Sequence, residues 1–535
     1  MKFYGLTLLL CPTLLQAAPL TPVHLRVSES SRREQPAPPT LQWRLEAAAG
    51  EVAKSQKGYQ ILAAASASEL AKEKGTLWQT ELISGSQQQG VAWKGRPLKQ
   101  GQKVYWKVRV ADETGALGAW SQVDSFIYGP PSPLPAVIRT GHFRSSRPKL
   151  DALVEADLAE LEKRLKAFTA GDAEALGTSL DVWQACRSYL FYFNAAPALR
   201  KWLSSVIQSQ TASGFYPSAT DSAFSGAGYS DATVLTMSAY WWFSGDQPFL
   251  LENWESLDRF MVARERADQS FRGRIWGIAA GDTGAGREQR TEREFLDLAF
   301  FSLNNRLMKP LTLFGGEPLT SIRYKDFTSR LQKSFLRRYL SEDGTPTLRT
   351  QTSAAYLLRS GLLTPEQQAP LLKWLMADLD KNGLQTGTLG TPLLLQVLSL
   401  TGQQEKALDL ILNADEGTPI PAGVTSSWAM ETVAGIGTSS AGFRQLTLRP
   451  IPSWGDFTQL DVETTVPSGQ LGTSWRQDSP TLTLTLPPGV TADTVIPQFQ
   501  QKDGTDQQKG LTVISQQSPL RFLAQSGTHT ISLTP

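Results

Sequence analysis

The 535-residue chain has two cysteines and three histidines. Cys11 falls inside an apolar leader, which leaves Cys186 without a partner. No internal disulfide framework is available, so stability must come from packed cores. Cys186 sits in the apolar helical run DVWQACRSYLFYF and reads as a buried, inert thiol. His24, His142 and His529 are scattered, and nothing has the spacing of a His/Cys metal site; neither a metal nor any other cofactor is expected. Charge of one sign is lacking too. The 52 Lys and Arg residues nearly balance 50 Asp and Glu, leaving +2, which argues against nucleic acid or an anionic membrane surface as partner. No apolar run after the leader reaches transmembrane length, and no Gly-rich loop is followed by the Lys of a phosphate-binding motif. An uncharged partner and no membrane anchor are expected.

The leader itself covers residues 1–18: one Lys, the apolar stretch GLTLLLCPTLL, then the small-residue pattern QAA. This is the pattern of a secretory signal peptide, so a secreted or periplasmic protein is expected. The remaining length calls for about three or four folded units. Residues 19–128 carry short alternating runs such as TLQWRL and KVYWKVRVAD between Gly, Pro and Ser, the pattern of an antiparallel β-sandwich. A Pro-rich linker, 129–142, contains GPPSPLPAV. From 143 to 436 apolar residues recur at three- and four-residue spacing in successive segments joined by Gly-containing or polar turns. Repeated helical hairpins of this kind fit a closed toroid or a superhelical stack, and periodicity does not separate the two. Residues 437–535 return to Leu/Thr and Val/Thr alternation, a second sandwich.

Particular residues add a family resemblance. Leu41-Gln42-Trp43, Gly58-Tyr59-Gln60-Ile61, Gly95-Arg96-Pro97-Leu98, Tyr105 to Val110 and Trp120-Ser121 resemble the fibronectin-III-like domain that opens many bacterial α-L-rhamnosidases. Its tryptophans read as core at alternate strand positions rather than as a sugar-binding face. Trp202, Gln210, Gly214, Pro217, Asp231-Ala232, Gly245-Asp246, Gln351-Thr352, Thr386-Gly387, Gly390-Thr391 and Ala434-Gly435-Ile436 fall in the order found in the rhamnosidase barrel. Gly442-Phe443, Arg449-Pro450, Trp475 and Pro487-Pro488 are similar to the family's C-terminal β-domain. The resemblance implies an (α/α) barrel of six hairpins at 143–436, flanked by the two sandwiches. It also implies an exported glycoside hydrolase acting on terminal α-L-rhamnosyl or related bonds of a rhamnose-containing glycan. A further β-domain, normally placed ahead of the barrel in that family, has no counterpart.

Inverting glycoside hydrolysis needs a carboxylic acid and a second carboxylate about 6.5–9.5 Å apart, with water between. The family's acid lies in Asp-Cys-Pro-Gln-Arg-Asp-Glu-Arg-Leu-Gly-Trp-Thr-Gly-Asp. The corresponding stretch is FTAGDAEALGTSLD, which puts Glu174 at the acid's position and keeps Asp181 as a substrate-binding candidate. The leading Asp-Cys-Pro, the Arg before the acid and the Trp after the Gly are absent, so Glu174 also fits a solvated carboxylate at a helix start. Family members place the base in a Thr-Thr-x-Trp-Glu segment; here that interval is NADEGTPIPAGVTSSW, with Glu416 as candidate and a solvent-exposed DEG turn as the other reading. Tyr229-Ser230-Asp231-Ala232 resembles a pocket-lining Trp-x-Asp-Ala. Asp231 is thus a candidate acceptor for sugar hydroxyls, with Trp241 and Trp242 as apolar faces; a helix N-cap is the alternative for Asp231. Asp282, in a loop where the family has Gly-Asp-Trp, is a last substrate-binding candidate. The missing motifs leave a second function open, a catalytically degenerate relative that binds glycan or assists another enzyme.

Overall fold

A computed structural model of the chain describes residues 20–28, 39–46, 56–87, 91–99, 101–128, 134–219, 228–267, 291–315, 318–341, 346–414, 420–450, 456–497, 500–501, 511–516 and 518–534. The expected signal segment 1–18, Asp282 and Glu416 lie outside them. The chain divides into two compact units, residues 1–133 and 134–535.

The first unit is a β-sandwich. Strands β1 (Thr21–Ser28) and β2 (Thr40–Glu46) precede β3 (Gly58–Ala64), the one-turn helix α1 (Ala67–Ala71), β4 (Trp78–Gln79), β5 (Ile83–Ser84), β6 (Val91–Ala92), β7 (Gln102–Ala111) and β8 (Asp124–Tyr128). One sheet has the order β1-β2-β6 and the other β4-β3-β7-β8, with β5 also on β3. Its core is aromatic, as the alternation predicts: Trp43, Trp78, Trp93 and Trp106 are all buried. The Trp43 indole N–H donates to Gln56 Oε1 at 3.0 Å, which settles the one polar atom that burial of an indole strands.

The second unit opens with a short strand, β9 (His142–Ser145), and then, among the described residues, runs through twelve helices: α2 (Pro148–Thr169), α3 (Ser179–Tyr192), α4 (Ala196–Gln208), α5 (Tyr229–Ser244), α6 (Gln247–Ala267), α7 (Arg293–Gly315), α8 (Pro318–Tyr339), α9 (Gln351–Ser360), α10 (Pro365–Asn382), α11 (Gly390–Leu400), α12 (Gln404–Leu412) and α13 (Val424–Trp428), the last continued by a π-helical turn, Ala429–Val433. Burial separates them into two layers. α2 buries one stripe, Leu150, Val154, Leu158, Leu161 and Leu165, as an amphipathic surface helix does. α5 buries nearly its whole circumference. The inner helices α3, α5, α7, α9, α11 and α13 touch one another in sequence, and α13 returns to α3. The hairpins therefore close into a ring rather than stacking as a superhelix.

Two glycines set how tightly the inner helices meet. A Cβ at Gly390 would stand 2.2 Å from Thr352 Oγ1 on α9, and one at Gly423 would stand 2.6 Å from the Ala185 Cα on α3. Only hydrogen in place of a side chain permits these approaches.

After the ring come β10 (Ile436–Thr438), β11 (Gln445–Leu448), β12 (Gln459–Val466), β13 (Gly469–Arg476), β14 (Thr481–Leu486), β15 (Thr491–Ile496), β16 (Gln500–Gln501), β17 (Leu511–Ser515), β18 (Leu520–Ala524) and β19 (Gly527–Thr534). They form a sandwich of sheets β10-β11-β15-β18-β17 and β16-β19-β14-β13-β12-β9. β9, which the sequence placed at the junction of linker and helical region, is recruited as the edge strand beside β12. Phe443 joins sandwich to ring, its ring centroid 6.0 Å from Phe191 at the end of α3 and 4.8 Å from Phe243 at the end of α5. The sandwich thus packs where inner helices end, not where they begin.

Candidate active site

Connections on the two sides of the ring differ in length. Inner helices pass to the next outer helix through 193–195, 245–246, 316–317, 361–364 and 401–403. Outer helices return through 170–178, 209–228, 268–292, 340–350, 383–389 and 413–423, all longer. Every long connection feeds an inner-helix N-terminus, so those N-termini form the mouth. Hydrogen bonds stitch this rim together. Ser179 Oγ, at the start of α3, donates to the carbonyl of Tyr229 at the start of α5, at 2.6 Å. Thr291 and Thr350 hydroxyls, before α7 and α9, meet at 2.6 Å, and Gln184 reaches the carbonyl of Thr388, before α11, at 2.8 Å.

Below the rim, Trp183 on α3 meets Phe300 on α7 edge-on at 5.8 Å, and Phe300 meets Tyr356 on α9 at 5.7 Å. These rings span the lumen as an aromatic floor. Trp183 is half-buried. A partly open indole at the bottom of a cup offers an apolar face to a sugar ring, and Trp183 drew no notice in the sequence because it lies inside an apolar helical run.

Glu174 lies in the 170–178 connection, on the mouth side. Its backbone N–H donates to Asp172 Oδ1 at 3.1 Å, its carbonyl accepts from Gly177 N–H at 2.8 Å, and its side chain is exposed. Asp181 sits close by, half-buried at the third position of α3. Its Oδ2 accepts from the Thr178 N–H at 2.8 Å and the Thr178 hydroxyl at 2.6 Å, a reciprocal capping box that fixes where the helix begins. Burial, and after it the Asp181 carboxylate, raise the Tyr229 hydroxyl above its ordinary range. Glu174, Asp181 and Tyr229 therefore share one sector of the rim.

Asp231 departs from its expected role. It has 0% exposure, and both carboxylate oxygens are committed: Oδ2 accepts from the Gly228 N–H at 2.8 Å, while Oδ1 accepts from Asn304 Nδ2 at 2.7 Å and Arg264 Nε at 3.2 Å. It is not the N-cap either, since Gly228 holds that place and Asp231 is the third helical residue. Trp241 and Trp242 also depart. They are the thirteenth and fourteenth residues of α5, which at a rise of about 1.5 Å per residue puts them about 18 Å from the mouth. Trp241 is buried there and stacks edge-on with Trp242 at 5.1 Å.

The last inner helix is held by a residue the sequence did not single out. Asp157 on α2 accepts from the Gly423 N–H at 2.6 Å, the Ser426 N–H at 3.0 Å and the Ser426 hydroxyl at 2.6 Å. Burial outweighs these bonds and holds its carboxyl above the usual carboxylate range. Cys186 is a buried free thiol pushed up to about 12 by burial, as expected of an inert cysteine. Among the described residues no cluster of three His, Cys, Asp or Glu side chains could hold a metal ion, and no helix is long and apolar enough to cross a membrane.

A closed ring of six helical hairpins with a terminal sandwich at its base defines a six-hairpin glycosidase fold. Residues 138–455 match the bacterial alpha-L-rhamnosidase 6 hairpin glycosidase domain, and the chain belongs to that family. Residues 30–131 match a Rha78A-like N-terminal immunoglobulin domain, which makes the first sandwich Ig-like, and 435–511 match the bacterial alpha-L-rhamnosidase C-terminal domain. Similar proteins include the alpha-L-rhamnosidase of Streptomyces avermitilis, 24% identical over 402 residues (66% of this chain, 38% of the relative), and one from Formosa agariphila, 22% identical over 458 residues (73% and 48%). The chain spans less than half the length of these curated relatives. Two solved structures share the fold at 12% identity: the alpha-L-rhamnosidase of Dictyoglumus thermophilum, with a TM-score of 0.67 covering 96% of this chain and 99% of that one, and the Streptomyces avermitilis alpha-L-rhamnosidase complexed with L-rhamnose, with a TM-score of 0.64 covering 96% and 100%.

Proposed function

We propose that this chain is an exported glycoside hydrolase that removes terminal α-L-rhamnosyl or related residues at the ring mouth by an inverting mechanism. Glu174 protonates the leaving oxygen and Glu416 activates water. One observation carries the reading: a member of the rhamnosidase family has all its long connections at one end of a closed ring, where Glu174 stands on the rim above an aromatic floor. Export rests on the leader at 1–18. An uncharged sugar suits a cup whose rim is built of hydroxyls and amides and whose floor is aromatic.

The test is release of chromogen from an aryl α-L-rhamnoside, with proton NMR following the first-formed sugar. An inverting enzyme yields β-L-rhamnose before mutarotation, and Glu174→Gln abolishes turnover in a protein that stays folded. Retention of configuration sinks the mechanism. No turnover on any aryl glycoside sinks the activity and leaves the second reading, a degenerate relative that binds glycan. That alternative draws on the exposure of Glu174 and the absence of the residues that flank the family's acid. Calorimetric binding of L-rhamnose without turnover supports it.

A further inference from the structure

Beneath the aromatic floor the ring has a second polar end. Arg187 lies one turn past Trp183 on the same face of α3. Arg306 on α7 is exposed, Arg359 in the last turn of α9 is partly buried, and Gln396 on α11 and Glu431 in the π-helical turn complete the group. Arg306 Nη1 donates to the Arg359 carbonyl at 2.6 Å, Arg359 Nε donates to Gln396 Oε1 at 3.4 Å, and Arg187 Nε stands 3.2 Å from Glu431 Oε1. Burial first, then the charges of Arg306 and Arg187, pull Arg359 down to about 10, and Glu431 is the one charge opposing them. Three guanidinium groups thus share a single carboxylate. Among the described residues none places a carboxylate within ion-pair distance of Arg306 or Arg359.

Helix capping explains one contact only, the bond from Arg306 to the last turn of α9. Each guanidinium carries five N–H donors in a planar fork, so most of the donor capacity at this end is not used by that cap. Like charges gathered on partly buried ground are unfavourable unless an anion compensates them, and oxyanions accept such forks in bidentate fashion. We propose that this end of the ring binds a small inorganic oxyanion of the phosphate or sulfate type, held by Arg359 together with Arg187 and Arg306. The site is separate from the mouth, since the Trp183 and Phe300 rings lie between.

The experiment follows thermal unfolding of the full chain while sodium phosphate or sulfate replaces sodium chloride at fixed ionic strength. The expected result is a saturable rise in melting temperature whose midpoint moves to about tenfold higher anion concentration, or disappears, in Arg359→Gln. Arg306→Gln, at an exposed side chain, is expected to shift the midpoint in the same direction and supplies the test should Arg359→Gln fail to fold. Arg200→Gln, which removes a guanidinium already paired with Asp246 and Glu252, is expected to leave the midpoint in place. Absent or non-saturating stabilisation overturns the proposal. So does an unchanged midpoint in the folded Arg359 or Arg306 variants, or saturable stabilisation by malonate alone.

Discussion

Arg264, carried by the outer helix α6, lies with its Nε 3.2 Å from Asp231 Oδ1 on the inner helix α5, and both side chains are almost fully buried. The same guanidinium puts Nη1 2.8 Å from Asp297 Oδ1 on α7 and donates through Nη2 to the Asp297 carbonyl at 3.1 Å. One outer-layer cation thus ties two adjacent inner helices near the mouth.

Removing that cation leaves two buried carboxylates uncompensated. Arg264→Met is expected to cost about 3–5 kcal/mol in chemical denaturation. Asp231→Asn is expected to be milder, because Asn keeps an acceptor for Asn304 and Arg264. If Arg264→Met melts within about 0.5 kcal/mol of the parent, the bridge is not what holds α5 to α7.

Asp157 makes the corresponding link at the other end of the chain's path around the ring. Its three bonds fix the start of α13, directly after the 413–423 connection that carries Glu416. Asp157→Ala strands two backbone N–H groups and is expected to cost at least about 2 kcal/mol. If Glu416 is the base, the variant that remains folded also loses kcat while KM for an aryl rhamnoside changes little, since Asp157 positions the segment without touching substrate. A fall in stability with unchanged kcat marks Asp157 as purely structural.

Much of this architecture is legible in the sequence because it is local. The i, i+4 stripe of α2 and the near-absence of charge in α5, where Asp231 is the single charged residue, separate an outer from an inner helix, and the alternation of LDVETTV foretells the buried face of β12. What fails is whatever depends on distant partners. HFRS is too short to show as a strand and pairs with β12 more than 300 residues later. Asp231 reads as a pocket acid or a helix N-cap because Arg264 and Asn304, which consume it, lie 33 and 73 positions away. Trp241 and Trp242 follow Asp231 closely in sequence, yet about three turns of rigid helix carry them to the far end of the ring.

Gly390 and Thr352 place α11 against α9 at contact distance. Gly390→Ala drives a methyl to 2.2 Å from Thr352 Oγ1 and 2.9 Å from its Cγ2. Overpacking of this sort is expected to cost about 1–3 kcal/mol, and Thr352→Ala in the same chain removes both atoms and is expected to recover part of the loss. Additive losses in the double variant would show that the two helices do not meet as described.

Arg139 and Glu155 form a two-pronged pair, with both contacts at 2.7 Å. The hydrogen bond from Arg139 holds the Glu155 carboxyl below its usual range, and the bond from Glu155 raises Arg139 in turn. A carboxyl depressed in the folded state contributes stability above its unfolded pKa and loses it as pH falls through the folded value. Glu155→Gln is therefore expected to be less stable than the parent at neutral pH, by less than about 1 kcal/mol because both side chains are partly solvated, with the gap closing as pH falls below the ordinary carboxylate range. A gap that persists unchanged into acid points to lost packing rather than lost charge.

Trp183 is the residue on which binding at the mouth is expected to turn. Its indole is half-buried and meets Phe300 edge-on, and its open surface is the part that the proposed sugar would contact. Trp183→Phe keeps an aromatic floor while shrinking it, and an aromatic contact is worth about 0.5–1.5 kcal/mol beyond its area. The expected outcome is a KM for aryl α-L-rhamnoside, or a Kd for L-rhamnose, weakened about twofold to tenfold, with little change in kcat and an intact fold by circular dichroism. Trp183→Ala is expected to weaken binding further and to lower stability, since it opens a cavity beside Phe300. Equal affinity in parent and Trp183→Phe, with both folded, would move the sugar away from the lumen axis.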